Sequence, residues 1–306
     1  MSKVDLNVKI GNLTLRNPIM LASGTVGYGN EISEFIDLKK IGAIVTKSIS
    51  LKPRKGNKPQ RILETAAGML NAIGLANVGI EKFITEKIPF LKKQDAPIIC
   101  NIAASTIEEY VECVRMLDNE DGIHAFEINV SCPNVKEGGL QFGNDIKMVG
   151  KITEKVRANT AKPIIIKLSP NVSYISDFAQ AAKKEGADAV SAINTLVGTA
   201  FNIKTRKPIL YNITGGLSGP AIKSIALAKV FEIHKKVDIP IIGIGGIMNW
   251  QDTVEFMIAG SSAIQLGTVN FIDPTTAEKV LSGLTDYCNE NNIEQVSSLT
   301  GSYQLN

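Results

Sequence analysis

The feature that most constrains this chain is a recurrence of eight short apolar runs, rich in isoleucine and valine, each ending in polar or glycine residues. The first four are "PIMLASG" (18–24), "AIVTKS" (43–48), "PIICNIA" (97–103) and "AFEINVS" (125–131). The second four are "PIIIKLS" (163–169), "AVSAINT" (189–195), "IPIIGIGG" (239–246) and "SAIQLGT" (262–268). Their hydrophobicity is continuous rather than alternating, as expected of parallel strands covered on both faces. Amphipathic stretches such as "TIEEYVECVRML" (106–117) and "ISDFAQAAKKEG" (175–186) separate them. The latter keeps Phe178, Ala181 and Ala182 on one stripe and closes on Gly186, a natural helix C′ residue. Strand and helix alternating eight times predicts an α/β fold, a TIM (β/α)8 barrel, with an open doubly wound sheet as the competing arrangement. The opening "VDLNVKIGNLTLRNP" reads as a short N-terminal hairpin that closes the barrel bottom. No linker or low-complexity tract interrupts the pattern, so residues 1–306 are expected to form a single domain.

Composition narrows the function classes. A net charge of +3 is too small to argue for nucleic acid or a membrane as the main partner. The N-terminus shows no charged-then-apolar leader and no stretch is apolar enough to span a bilayer, so a cytoplasmic protein is expected. The four cysteines (Cys100, Cys113, Cys132, Cys288) form no C-x-x-C pair, and the only histidines are His124 and His234. Neither a disulfide framework nor a metal site is expected from such spacing.

In a barrel of this kind the chemistry gathers at the C-terminal ends of the strands. Reading each run at its end gives Ser23 and Gly24, Lys47 and Ser48, Asn101, and Asn129 with Cys132. The remaining ends give Lys167, Asn194 with Thr195, Gly245 with Gly246, and Gly267 with Thr268. Singly, each could cap or turn the chain. Together they form a ring better explained as a binding site. Glycines after the seventh and eighth strands suit a phosphate, because small residues let backbone N–H groups approach its oxygens. "GIGGI" (243–247) is no dinucleotide fingerprint, since Met248 stands where G-x-G-x-x-G needs glycine. Phosphate turns with two lysines point to a mononucleotide cofactor with its ring across the barrel mouth; near the pyrimidine end of a flavin, a lysine would stabilise the reduced form. A Schiff base on Lys167 is the alternative, but it leaves the amides and the thiol idle. Within "NVSCPN" (129–134), Cys132 can serve as a base through its thiolate, and the flanking amides can orient a ring of alternating carbonyl and N–H groups. Cys100 and Cys113, set in apolar segments, read as inert core thiols.

The motifs "TKS" (46–48), "NAIGLAN" (71–77), "NVSCPN" (129–134), "IKLSP" (166–170), "INT" (193–195), "IGIGGI" (242–247) and "QLGT" (265–268) resemble, in order and over nearly the whole chain, those of class 1 dihydroorotate dehydrogenases. The resemblance implies a TIM barrel that binds FMN and oxidises dihydroorotate to orotate in pyrimidine synthesis. By motif, Cys132 would take the C5 proton while hydride leaves C6. The substrate would be held by Lys47, Asn71, Ala72, Ile73, Gly74, Leu75, Asn129, Asn134, Asn194 and Thr195. FMN would be held by Ser23, Lys47, Ser48, Asn101, Asn129, Lys167, Ile193, Gly219, Gly245, Gly246, Gly267 and Thr268. Gly219 comes from "SGPAIK" (218–223), after the sixth strand.

"INTLVGTAFNI" (193–203) and "NVKEGGLQFG" (134–143) resemble class 1B, with NAD as final acceptor; the fumarate-using class 1A has serine where Thr195 stands. Class 1B implies a partner iron–sulfur flavoprotein that carries FAD and the cluster, in a heterotetramer. Alternatives are a flavin barrel acting on another pyrimidine and an inert FMN binder, which would have no use for Cys132. Two loops stay open. "LKPRKGNKPQR" (51–61), with five basic residues, is either solvated or steers anions to the rim, and "KEGGLQFG" (136–143) is either a lid or a fixed loop.

Overall fold

Each of the eight apolar runs forms a strand in the computed structural model, which describes residues 4–130 and 142–305. The chain opens with β1 (Val8–Ile10) and β2 (Leu13–Leu15), then enters the barrel with β3 (Ile19–Leu21) and β4 (Ala43–Val45). It leaves through β5 (Ile62–Thr65) and β6 (Gly68–Asn71) and returns with β7 (Ile98–Ile102), β8 (Ala125–Asn129), β9 (Ile164–Lys167) and β10 (Ala189–Ala192). A second excursion holds β11 (Leu196–Thr199), β12 (Phe201–Asn202), β13 (Lys207–Pro208) and β14 (Thr214–Ser218); β15 (Ile241–Ile244) and β16 (Ala263–Leu266) complete the barrel. The closed order β10-β15-β16-β3-β4-β7-β8-β9 rules out the open sheet. Pairing is parallel throughout the barrel, for example Asn101 opposite Glu127 and Asn129 opposite Lys167. Every residue of these eight strands is buried, which is why they read as unbroken apolar runs.

The helices between strands follow their sequence patterns. In Ile107–Asp118, Thr106 caps the N-terminus by accepting from the Glu109 amide, and Tyr110, Cys113, Val114 and Leu117 form the buried stripe. Helix Ile175–Lys184 buries Phe178 and Ala182 as expected, with Ala179 rather than Ala181 as the third member of the stripe. It ends in a Schellman arrangement: Gly186 has φ +95°, its amide donates to the Lys183 carbonyl, and Ala187 donates to the Ala182 carbonyl. The predicted N-terminal hairpin is β1 paired with β2. Its turn residue Gly11 lies against Asp188, just before β10, so the hairpin sits at the N-terminal end of the barrel.

The two excursions were not legible as strands. They meet in a four-stranded antiparallel sheet, ordered β11-β14-β6-β5. Gly216 of β14 pairs with Asn71 of β6, and Leu217 pairs with Leu196 of β11. This sheet follows the C-terminal ends of the second and sixth barrel strands, so it stands over the rim.

One buried contact ties a helix to that rim. The Tyr110 hydroxyl donates to the Asn129 carbonyl at 2.8 Å, where β8 ends. Tyr110→Phe removes the donor and is expected to lower stability by about 1–3 kcal/mol. The check is a lower urea midpoint at unchanged m-value.

Candidate active site

The strand ends surround a cavity of about 580 Å³, within the range of roughly 300–1,000 Å³ usual for small-molecule sites. Lining it are Ser23, Lys47, Ser48, Asn71, Ala72, Ile73, Gly74, Leu75, Asn129, Lys167, Ile193, Asn194, Thr195, Gly219, Gly245, Gly246, Gly267 and Thr268. Asn101 is brought beneath the cavity rather than into its wall. β7 runs on to Ile102, so Asn101 lies inside the barrel, where it accepts from Ser48 Oγ at 2.6 Å and donates to Glu127 Oε2 at 2.6 Å. Cys132 and Asn134 lie outside the described residues.

The rim sheet presents the segment 71–75. Asn57 holds it from the loop before β5, donating from its backbone to the Ile73 carbonyl at 3.0 Å and from Nδ2 to the Ala72 carbonyl at 2.9 Å. The Ala72 amide donates to the Arg61 carbonyl at 2.7 Å. The basic loop 51–61 is therefore a brace. Arg54 reaches Ser105 Oγ at 2.8 Å and Glu109 at 3.7 Å, while Lys52, Lys55 and Lys58 stay exposed. Across the cavity, Asn194 Nδ2 donates to Asn129 Oδ1 at 3.4 Å, and Asn194 Oδ1 accepts from the Thr195 amide at 2.8 Å.

The glycine turns have a geometric reason. Gly246 sits at φ +74°, and a Cβ there would stand 2.8 Å from Lys223 Cβ and 2.9 Å from the Gly219 carbonyl oxygen. Lys223 is committed to Asp252 and Glu255, at 2.8 Å each. Asp252 also accepts from the Met248 amide at 2.8 Å, which ties the turn to the same ion-pair cluster.

Beneath these residues lies a group that the sequence reading missed. Glu127 is fully buried in β8 and accepts from Asn101, Lys167, Ser191 and Gln265. A lone carboxylate inside "AFEINVS" was the available signal. Lys167 pairs with Glu127 at 3.4 Å, whereas Schiff-base lysines sit in apolar pockets or beside other cations. Lys47 forms no ion pair among the described residues. Gln265, also in the wall, has a buried Oε1 with no hydrogen-bond partner among the described residues. The cavity thus offers a cation and an acceptor that are unpaired among the described residues, together with amides and small-residue turns, a set that fits an anionic planar ligand carrying N–H groups.

These features define the class: a TIM-barrel enzyme with its site at the C-terminal rim. The chain belongs to the dihydroorotate dehydrogenase family, whose profile, described as "Dihydroorotate dehydrogenase", matches residues 5–287. It is 52% identical over 305 residues, covering 100% of both chains, to the protein of Geotalea daltonii named "Dihydroorotate dehydrogenase B (NAD(+)), catalytic subunit". Proteins of the same name in Geobacter sulfurreducens and Pelobacter propionicus are each 51% identical; the first match covers 100% of both chains and the second 99% of both. Among the described residues no helix is long and apolar enough to cross a membrane.

The described cysteines are core thiols. Cys100, Cys113 and Cys288 are buried, and burial raises all three thiol pKa values, taking Cys113 from 9.0 to about 12. Because its folded value lies above the unfolded one, the neutral Cys113 thiol contributes stability that is complete below pH 9 and is lost as pH rises towards 12. Iodoacetamide at pH 9 is expected to label Cys113 only as fast as the protein unfolds, with mass-mapped peptides as the readout. Rapid labelling of folded protein would contradict the burial.

Proposed function

We propose that this chain is the catalytic subunit of an NAD-linked dihydroorotate dehydrogenase, a single FMN-binding barrel that oxidises dihydroorotate to orotate in pyrimidine synthesis. The observation that carries the reading is the convergence of Lys47, the 71–75 segment, Asn129 and Asn194 on one cavity in a chain of this family. Dihydroorotate has a carboxylate for a free ammonium and a ring whose carbonyl and N–H groups suit amides, which both donate and accept.

FMN would be held by Ser23, Lys47, Ser48, Asn129, Lys167 and Ile193 around the ring and by Gly219, Gly245, Gly246, Gly267 and Thr268 at the phosphate, with Asn101 supporting from below. When bound, the flavin accepts the hydride that leaves C6. The protein's part is to orient the ring and move the proton. Lys47, Asn71, Ala72, Ile73, Gly74, Leu75, Asn194 and Thr195, with Asn129 and Asn134 of the "NVSCPN" motif, would position dihydroorotate. Cys132, in the same motif, would take the C5 proton. The other three cysteines are buried with raised pKa values, which leaves Cys132 as the thiol suited to this role. The purified protein is expected to be yellow and to release FMN on denaturation. Cys132→Ala should keep FMN and orotate bound while anaerobic reduction of the flavin by dihydroorotate slows roughly 100-fold or more. A colourless protein that ignores added FMN would sink the cofactor reading. An unchanged single-turnover rate in Cys132→Ala would remove that residue from the mechanism.

The relatives' name, "catalytic subunit", supports a partner polypeptide. That partner would be an iron–sulfur flavoprotein carrying FAD and an NAD site, assembled with this chain as a heterotetramer in the cytoplasm. Alone, the chain should be reduced by dihydroorotate yet pass electrons to NAD poorly, and adding the partner should switch NAD reduction on. Full-speed coupling to NAD by the isolated chain would refute the division of labour, and fast turnover with fumarate would assign the fumarate-using subclass instead.

A further inference from the structure

The Glu127 network sits directly under the cavity, and none of the roles assigned above uses the carboxylate. Glu127 Oε1 accepts from Ser191 Oγ and Gln265 Nε2, both at 2.8 Å. Oε2 accepts from Asn101 Nδ2 at 2.6 Å and Lys167 Nζ at 3.4 Å. Each oxygen therefore meets two donors, the full complement of its lone pairs. Paired with the Lys167 ammonium, the carboxylate is wholly an acceptor. The side chain has no exposure and does not line the cavity, so it acts through its neighbours.

Two of those neighbours do line the cavity. Lys167 is only 5% exposed, and its ammonium has two acceptors among the described residues, Glu127 and Ser23 Oγ, both at 3.4 Å. Gln265 must turn its Nε2 to the carboxylate, because an ionised carboxylate only accepts. That fixes its Oε1 as the acceptor left without a partner among the described residues. One buried anion thus decides both the charge balance of Lys167 and the sense of the Gln265 amide.

We propose that Glu127 is a positioning residue that neutralises Lys167 and orients Gln265, and thereby sets how strongly the site favours reduced over oxidised flavin. The proposal rests on the flavin reading above. With Glu127 present, the Lys167–Glu127 pair adds no net charge to the floor of the site. Without its charge, Lys167 becomes an uncompensated cation near the cofactor. A low-dielectric site makes such a charge count, and it favours the more negative, reduced form.

The test uses full-length protein loaded with FMN and measures the flavin midpoint potential by dye-referenced reductive titration, without substrate. Glu127→Gln should bind reduced FMN about tenfold more tightly relative to oxidised FMN, a rise of roughly 30 mV for a two-electron couple. Glu127→Asp, which keeps the charge, should stay closer to wild type. Removing one member of a buried pair can prevent folding. In that event the comparison is wild type against the double variant Glu127→Gln/Lys167→Met, in which neither charge remains and neither is stranded. Because the pair adds no net charge, the double variant should keep the midpoint potential within about 15 mV of wild type, roughly threefold in relative affinity for reduced over oxidised FMN. A Glu127→Gln protein that holds FMN at the wild-type potential overturns the proposal and leaves the flavin reading standing, as does a double variant whose potential departs from wild type by roughly 30 mV or more. Wild-type protein that takes up no FMN overturns both.

Discussion

A carboxylate with no access to water must find every partner inside the protein, and Glu127 finds them across the barrel. Its donors come from β7, β9, β10 and β16. In the closed order, β16 lies four strands from β8 in either direction, so the bond to Gln265 spans the barrel's diameter. Hydrogen bonds to a charged group contribute about 1.5–3 kcal/mol each, and stranding the charge would cost more than any one of them returns. The network therefore holds the rim in register. Asn101, Lys167 and Gln265 are linked through one group, and Asn101 carries the link on to Ser48.

The barrel itself was legible in the sequence because parallel strands buried on both faces leave continuous apolar runs. All eight runs correspond to strands, and the polar ends that lie within the described residues line the cavity except Asn101, Cys132 lying outside them. Asn101 was read as a strand end, but β7 continues through Ile102 and carries it inside. The same rule that exposed the strands concealed Glu127, Ser191 and Gln265. Each is a single polar residue in an apolar run, and nothing local says that three runs, far apart in sequence, bring those residues together. Only closure of the barrel does that.

The rim sheet was hidden for a different reason. β5 pairs with β6 within one excursion and β11 with β14 within the other, and the four-stranded sheet exists only where β14 meets β6 across the two. Their residues are half-exposed and glycine-rich, as in Thr214–Ser218, and they show neither clean alternation nor an unbroken run. The motif "NAIGLAN" pointed to segment 71–75, which lines the cavity, without revealing what holds it. That support comes from Asn57 and Arg61 in the basic loop, whose charges drew attention away from its backbone.

Two glycines cross where β6 of the rim sheet meets the chain that leads from β14 back to the barrel. A Cβ on Gly219 would stand 2.7 Å from Gly68 Cα, and one on Gly68 would stand 2.0 Å from the Ser218 carbonyl oxygen. Gly68 opens β6, which runs into the 71–75 segment, and Gly219 leads from β14 into the turn packed against Gly246. The element assigned to substrate and the turn assigned to phosphate thus share a backbone contact that admits no side chain. Thr268 reinforces the joint from the eighth barrel strand, its hydroxyl donating to Ser218 Oγ at 2.8 Å. A barrel whose strand ends alone formed the site could vary its loops independently. Here the 71–75 segment and the Gly219 turn are tied by that contact, which gives a physical reason for both excursions to carry glycine where they meet.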